Sequence, residues 1–215
     1  DLLIVDYKDD ATAFNGLKKG TIVGKGVVNN RMSNYLCQIL EEKGVPTHFV
    51  KELDERRTLV KKVEIVPLEV IIRNKAAGSF SKRYGVEEGT PLKCSTLEFS
   101  YKNDDLGDPL MNSYMALALD LATKEEIDTI SEMAFKVNEV LKEVFAGVGI
   151  ELIDFKLELG RYHGQIILAD EISPDTCRYW DMKTHDHLDK DRFRRDLGDA
   201  EGAYQEVYRR LGLDK

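Results

Sequence analysis

The chain has 215 residues, 42% of them hydrophobic and 33% charged, with a formal net charge of −8, enough apolar content for one large domain or two small lobes. No apolar run approaches the roughly 20 residues of a membrane span, no signal-peptide pattern opens the sequence, and no Lys/Arg block offers a footprint for nucleic acid. Cys37, Cys94 and Cys177 are odd in number and lack CxxC spacing, which argues against a disulfide framework or a zinc site and fits a reducing cytoplasm.

In chain order, Leu2 to Tyr7 predicts a short strand and Lys8 to Gly16 a polar loop closed by the Asn15-Gly16 turn pair. Asp9 and Asp10 are read as the end of a strand rather than as site residues. Lys18 to Asn29 is glycine-rich without phosphate-loop spacing and is assigned as connection. From Asn30 to Lys43, apolar residues at Met32, Tyr35, Leu36, Ile39 and Leu40 predict an amphipathic helix stopped by Gly44. Val45 to Val50 and Thr58 to Lys62 follow as strands. Lys61 and Lys62 are charges for a phosphate or for solvent, with solvent the expectation for at least one of them.

Val63 to Ile72 is rich in β-branched residues, and Pro67 marks it as an edge strand or a break suited to a hinge. Arg73 to Ser79 then leads into a helix-like segment, Phe80 to Gly85. A glycine, a hydroxyl and Arg73 at a helix start are parts of an anion site, since first-turn N–H groups lack intrahelical partners, although Ser79 fits an N-cap equally well. Leu97 to Tyr101 predicts a strand, and the acidic loop after it holds two further candidates, Lys102 and Asp108. Thr123 and Glu126 form a capping box for a long helix whose apolar face runs from Ile127 through Ile130, Val137 and Leu141 to Phe145.

Chemical specificity concentrates in residues 153–171. Ile153, Phe155, Leu157 and Leu159 alternate with Asp154, Lys156 and Glu158, and Gly160 to Gly164 joins this run to Gln165 to Ala169 and then Asp170-Glu171, so a hairpin is expected. With its turn centred near Tyr162, Asp170 falls opposite Asp154 and three carboxylates surround Lys156. Such a face is either solvated ion pairs or a site for Mg²⁺ or Mn²⁺, because close carboxylates raise one another's proton affinity unless a cation lies among them. Arg178 beyond the hairpin has the fork to clamp phosphate or carboxylate. His163, His185 and His187 lack ligand spacing, and the tail from Lys190 to Leu211 predicts one or two amphipathic helices interrupted near Gly198 and Gly202. The acids and lysine together are equipment for phosphoryl transfer, but the His-Arg-Asp and Asp-Phe-Gly motifs are missing, which excludes an ordinary protein kinase.

Asp154-Phe-Lys-Leu-Glu-Leu-Gly160 and Ala169-Asp-Glu-Ile-Ser-Pro-Asp-Thr-Cys-Arg178 resemble the two signatures of the SAICAR synthetase family, the phosphoribosylaminoimidazole-succinocarboxamide synthases. Arg73 to Ser79, Lys102-Asn-Asp104 and Asp189 to Arg194 resemble it as well, so the likeness extends across essentially the whole chain. It implies an α+β fold of two lobes, 1–72 and 73–215, with mainly antiparallel sheets, flanking helices and an ATP cleft between lobes, distantly like protein kinases and ATP-grasp enzymes. The implied reaction, in purine (IMP) biosynthesis, activates the carboxylate of carboxyaminoimidazole ribotide (CAIR) through an acyl phosphate. The amine of L-aspartate then displaces phosphate, and the products are SAICAR, ADP and phosphate.

The resemblance implies Asp154 and Lys156 at the reacting centre, Glu158 and Asp170 on Mg²⁺, and Glu69 and Lys102 completing the ATP site. Arg73, Ser79 and Arg178 then take the ribotide phosphate or substrate carboxylates. The implied partners are small molecules, with no nucleic acid or membrane, in a homo-oligomer that is most simply a dimer. The family opens with a Gly-Lys-x-Lys strand whose lysines cover the ATP phosphates; no such segment precedes Asp1 in this sequence, and if the protein itself lacks it, nucleotide affinity is expected to suffer. Two alternatives stand: a small-molecule kinase, which would release ADP without aspartate, and a nucleotide-sensing domain, indifferent to loss of Glu158 or Asp170.

Overall fold

A computed structural model describes residues 1–215. Its first third builds β1 (Leu2–Asp6), β2 (Asp10–Ala13), β3 (Lys18–Thr21), α1 (Lys25–Glu42), β4 (Phe49–Glu52) and β5 (Arg57–Lys61). The strands form a small antiparallel sheet, β1-β5-β4, and a separate β2-β3 hairpin where only loop and connection were expected. Alternation explains that hairpin, since Ala11 and Ala13 are buried between exposed neighbours. Helix α1 likewise starts earlier than its apolar period, at Lys25. Gly24 supplies a left-handed entry at φ 82, and the Asp9 carboxylate accepts from the N–H groups of Gly24 at 3.0 Å and Gly26 at 2.8 Å. Asp9 thus satisfies first-turn donors from a distant strand end, a role that sequence spacing does not reveal.

The remainder builds β6 (Glu64–Lys75), α2 (Gly78–Tyr84), β7 (Pro91–Tyr101), β8 (Leu110–Met111), α3 (Ser113–Ala118), α4 (Lys124–Ala146), β9 (Ile150–Tyr162), β10 (Gln165–Ala169), β11 (Cys177–Asp181), α5 (Asp191–Arg194) and α6 (Ala200–Arg210). The larger antiparallel sheet runs β10-β9-β6-β7-β8, with β11 also paired to β9. This is the expected α+β architecture of antiparallel sheets and flanking helices. Strand β6 is central, so Pro67 does not mark an edge, and the break that was the other reading is what the pairing shows. Pairing with β9 shifts register between Ile65 and Glu69, and pairing with β7 begins at Leu68, so the proline sits where the ladder asks for no N–H. Residues 72 and 73, the expected lobe boundary, both lie inside β6, paired to β7 and β9.

The 153–171 hairpin forms, but its turn is His163-Gly164, both at positive φ (48° and 77°), a two-residue turn compatible with strand twist. Tyr162 therefore faces Gln165 and Ala169 faces Glu158. Asp170 lies one step beyond Glu158, not opposite Asp154; the neighbours of Asp154 are Arg73 on β6 and Arg178 on β11. Helix α4 closes the far side of the sheet, with its capping box formed as expected and Ile127, Ile130, Val137, Leu141 and Phe145 buried. Phe155, Leu157 and Leu159 of β9 join that core. Burying each such side chain contributes about 1.5–3 kcal/mol, which fixes the parity of β9 and turns Asp154, Lys156 and Glu158 to the opposite face. No helix is long and apolar enough to cross a membrane.

Candidate active site

That opposite face borders a cavity of about 420 Å³ lined by 14 residues, only three of them hydrophobic. Two charged clusters meet there. In the first, Lys156 of β9 donates to Glu69 of β6 at 2.9 Å and to Glu158 at 3.0 Å, while Lys102, just past β7, reaches Glu158 at 3.2 Å. Burial works against the Lys156 charge, but the fields of Glu158 and Glu69 outweigh it and hold the amine protonated above its ordinary range. Burial also pushes Glu158 upward; Lys156 and Lys102 reverse that and leave its carboxyl below the usual value. Asp170 is raised to about 6 by burial and then by the Glu158 charge.

In the second cluster Asp154, only 3% exposed, accepts from Arg73 Nη1 at 2.8 Å and from Arg178 Nη1 at 2.9 Å. Arg73 Nη2 donates to Ser79 Oγ at 2.9 Å, so Ser79 is no N-cap; Ala77 occupies that position without a side-chain bond. Arg178 Nε donates to Asp191, whose other oxygen takes Arg194 at 2.9 Å. Gly78, at φ +52, lets Arg178 lie flat against α2, since a Cβ there would stand 2.3 Å from its Nη2. Of the residues singled out from sequence, Glu69, Lys102, Lys156, Glu158 and Asp170 therefore gather in one cluster and Arg73, Ser79, Asp154 and Arg178 in the other. Asp108 instead closes its own loop by accepting from the N–H of Asn103 at 2.8 Å.

Sequence reasoning missed Glu98, Lys25, Glu171, Asp175 and Asp191. The Asp175 carboxylate pairs with Lys25 at 3.0 Å and accepts from the Tyr204 hydroxyl. Burial, then Asp175 and Asp170, push the neighbouring Glu171 up to about 8. Asp175 and Asp191 stood inside quoted motifs and were legible as charge, whereas Glu98 is one acid in an ordinary strand and gave no local signal.

The carboxylates of Glu158 and Asp170 offer an oxygen-only donor set for a hard divalent cation: Lys156 and Lys102 already hold one Glu158 oxygen, whereas Asp170 is raised by burial and then by the Glu158 charge, a repulsion such an ion would relieve. His187, Asp189 and Asp191 also place ligand atoms within 4.8 Å of one another. There, however, Asp191 already holds Arg178 and Arg194, and Asp189 accepts the N–H groups of Tyr179 and Asp191. Cations and backbone donors fill the places a metal would take.

An antiparallel α+β scaffold presenting a paired-carboxylate face beside a bank of arginines defines an enzyme for phosphorylated, multiply anionic small molecules. The chain belongs to the SAICAR synthetase family, whose model matches residues 1–211. It is similar to the phosphoribosylaminoimidazole-succinocarboxamide synthase of Lachnoclostridium phytofermentans, with 72% identity over 214 residues, 100% of this chain and 91% of that one. The SAICAR synthetase of Pyrococcus horikoshii matches at TM-score 0.95 and 50% identity, covering 99% of this chain and 93% of that one. A solved SAICAR synthetase in complex with ADP matches at TM-score 0.96 and 50% identity over 98% of this chain and 91% of its own.

Proposed function

We propose that this chain is an ATP-dependent C–N ligase of cytoplasmic purine (IMP) biosynthesis that joins L-aspartate to CAIR, giving SAICAR, ADP and phosphate. The observation that carries this reading is the position of Lys156. It sits between Glu69 and Glu158 and lines the same cavity as Arg73, Asp154 and Arg178, so a nucleotide side and an anion side adjoin at one cation.

ATP lies against Glu69, Lys102, Glu158 and Asp170. Glu158 and Asp170 would hold Mg²⁺, which would supply positive charge against the nucleotide phosphates. Arg73, Ser79 and Arg178 bind the ribotide through its phosphate or carboxylate, and Asp154 fixes the two guanidinium groups in register. The CAIR carboxylate oxygen attacks the γ-phosphorus and ADP leaves; the aspartate amine then attacks the acyl carbon, an amide bond forms and phosphate departs. Lys156, kept protonated by its acidic neighbours, stabilises the negative charge of the transferring phosphoryl group. The reading is supported by family membership, by the ADP bound in a relative at 50% identity, and by the cavity that Arg73, Ser79, Asp154, Lys156, Asp170 and Arg178 line, with Glu69 and Glu158 held to it through Lys156.

Incubation with ATP, Mg²⁺, CAIR and L-aspartate tests it, with SAICAR followed by absorbance and ADP by a coupled assay. Release of ADP without aspartate, and with no SAICAR formed, would replace the ligase by a small-molecule kinase.

A further inference from the structure

Glu98 lies outside the site residues yet holds one of them, and we infer that it is a positioning residue for recognition of the ribotide's anionic group. This rests on the ligase reading above. Strand β7 pairs Glu98 with Ile71 and Thr96 with Arg73, so Glu98 is the diagonal same-face neighbour of Arg73, within reach of a long side chain. Both are nearly fully buried, Glu98 at 9% exposure and Arg73 at 3%. Arg73 Nε donates to Glu98 Oε2 at 3.0 Å, with Nη2 at the same distance.

That contact fixes which edge of the guanidinium faces where. With Nε turned to Glu98, Nη1 is delivered to Asp154 and Nη2 to Ser79, the two groups that border the cavity beside Arg178. Glu98 itself does not line that cavity, so it acts only through Arg73. Its second oxygen accepts from Arg83 at the far end of α2, which ties the strand holding Arg73 to the helix holding Ser79. The result is an alternating row, Arg83-Glu98-Arg73-Asp154-Arg178-Asp191-Arg194, linked by ion pairs throughout. Replacing the Glu98 carboxylate by an amide leaves Arg73 and Arg83 one neutral acceptor to share and weakens the hold on the edge of a buried guanidinium.

The test compares wild type with Glu98→Gln, Glu98→Asp and Arg83→Gln. CAIR binding is followed by calorimetry, and KM for CAIR, ATP and L-aspartate by steady-state turnover. Glu98→Gln is expected to weaken CAIR binding and raise its KM by about tenfold, with KM for ATP and aspartate and kcat within about twofold. Glu98→Asp should recover part of that loss, and Arg83→Gln, which cuts only the tie to α2, should leave CAIR binding within about twofold. Unchanged CAIR binding in folded Glu98→Gln overturns the inference. So does an equal rise in KM for all three substrates together with a lower melting temperature, the mark of a mere cross-link. Should Glu98→Gln not fold, Glu98→Asp carries the test: its CAIR KM must rise selectively, and a wild-type value overturns the inference. A wild type that binds CAIR but makes no SAICAR sinks the ligase reading instead, while the calorimetric comparison still decides the role of Glu98.

Discussion

At the scale of single residues, Lys156 and Gly78 make opposite kinds of contribution. Lys156 supplies charge where charge develops, so Lys156→Ala is expected to lower kcat by roughly 10²–10³, with much smaller changes in KM. Wild-type kcat in a folded variant, read by steady-state assay, would remove Lys156 from the chemistry. Gly78 supplies absence: a methyl there meets the Arg178 guanidinium at 2.3 Å and strains a backbone at φ +52. Gly78→Ala should therefore raise KM for CAIR by displacing Arg178, and an unaltered CAIR titration would show that Arg178 does not hold that substrate. Asp189 gives a prediction in pH. Burial, then the Asp191 charge, raise its carboxyl to about 7, against the backbone N–H groups and Arg178 that favour ionisation. Between its ordinary value near 3.8 and about 7 the folded state holds a proton that the unfolded chain has lost. Folding stability contributed by this group therefore falls as pH rises through that window, by up to about 1.4 kcal/mol per pH unit. Denaturant unfolding from pH 4 to 8 should show a shallower decline in Asp189→Asn than in wild type, and parallel curves would assign the slope elsewhere.

At the scale of elements, the parts legible in the sequence are those whose cause is local. Helix α4 announced itself through the Thr123–Glu126 capping box and its apolar stripe, and β9 through strict alternation, because each signal lies within a few neighbouring residues. The turn centre was misplaced from between His163 and Gly164 to Tyr162, since Gly160 and Gly164 both fit a turn and only cross-strand pairing separates them. That shift moved Asp170 from opposite Asp154 to one step beyond the Ala169–Glu158 pair. It left the carboxylate pair intact but hid why Asp154 is there, since its partners Arg73 and Arg178 come from strands on either side of β9. Glu98 was illegible for the same reason: its meaning lies in a diagonal contact across β6 and β7. The start of α1 depends on Asp9, which also accepts Arg56 at 2.8 Å. Asp9→Ala should cost about 1–2 kcal/mol as lost helix capping, and guanidinium unfolding with an unchanged midpoint would show that the first turn of α1 needs no such acceptor.

At the scale of the whole molecule, Lys25 and Asp175 join segments that are remote in sequence. Lys25 opens α1, Asp175 lies between β10 and β11 on the cavity wall, and Tyr204 adds the C-terminal helix α6 to the same carboxylate. The ion pair is 3.0 Å long with both side chains about 10% exposed. A buried pair of this kind contributes little net energy relative to an apolar pair of equal volume, yet breaking it from one side strands a charge at a cost of about 3–5 kcal/mol. Lys190 stands 3.8 Å from Asp175 and offsets part of that loss, so Lys25→Met is expected to destabilise by about 2–4 kcal/mol. Burial alone drives the Asp175 carboxyl upward, and Lys190 and Lys25 bring it below its ordinary value. Without Lys25 its proton affinity rises, so the penalty in Lys25→Met should shrink as pH falls and the acid neutralises. Adding Asp175→Asn removes the stranded charge, and the double variant should be more stable than Lys25→Met alone. Urea unfolding of the four members of this cycle at pH 5 and pH 8 measures the coupling directly. Strict additivity at both pH values would mean that α1 and the cavity wall are held together by apolar packing, with the ion pair a bystander.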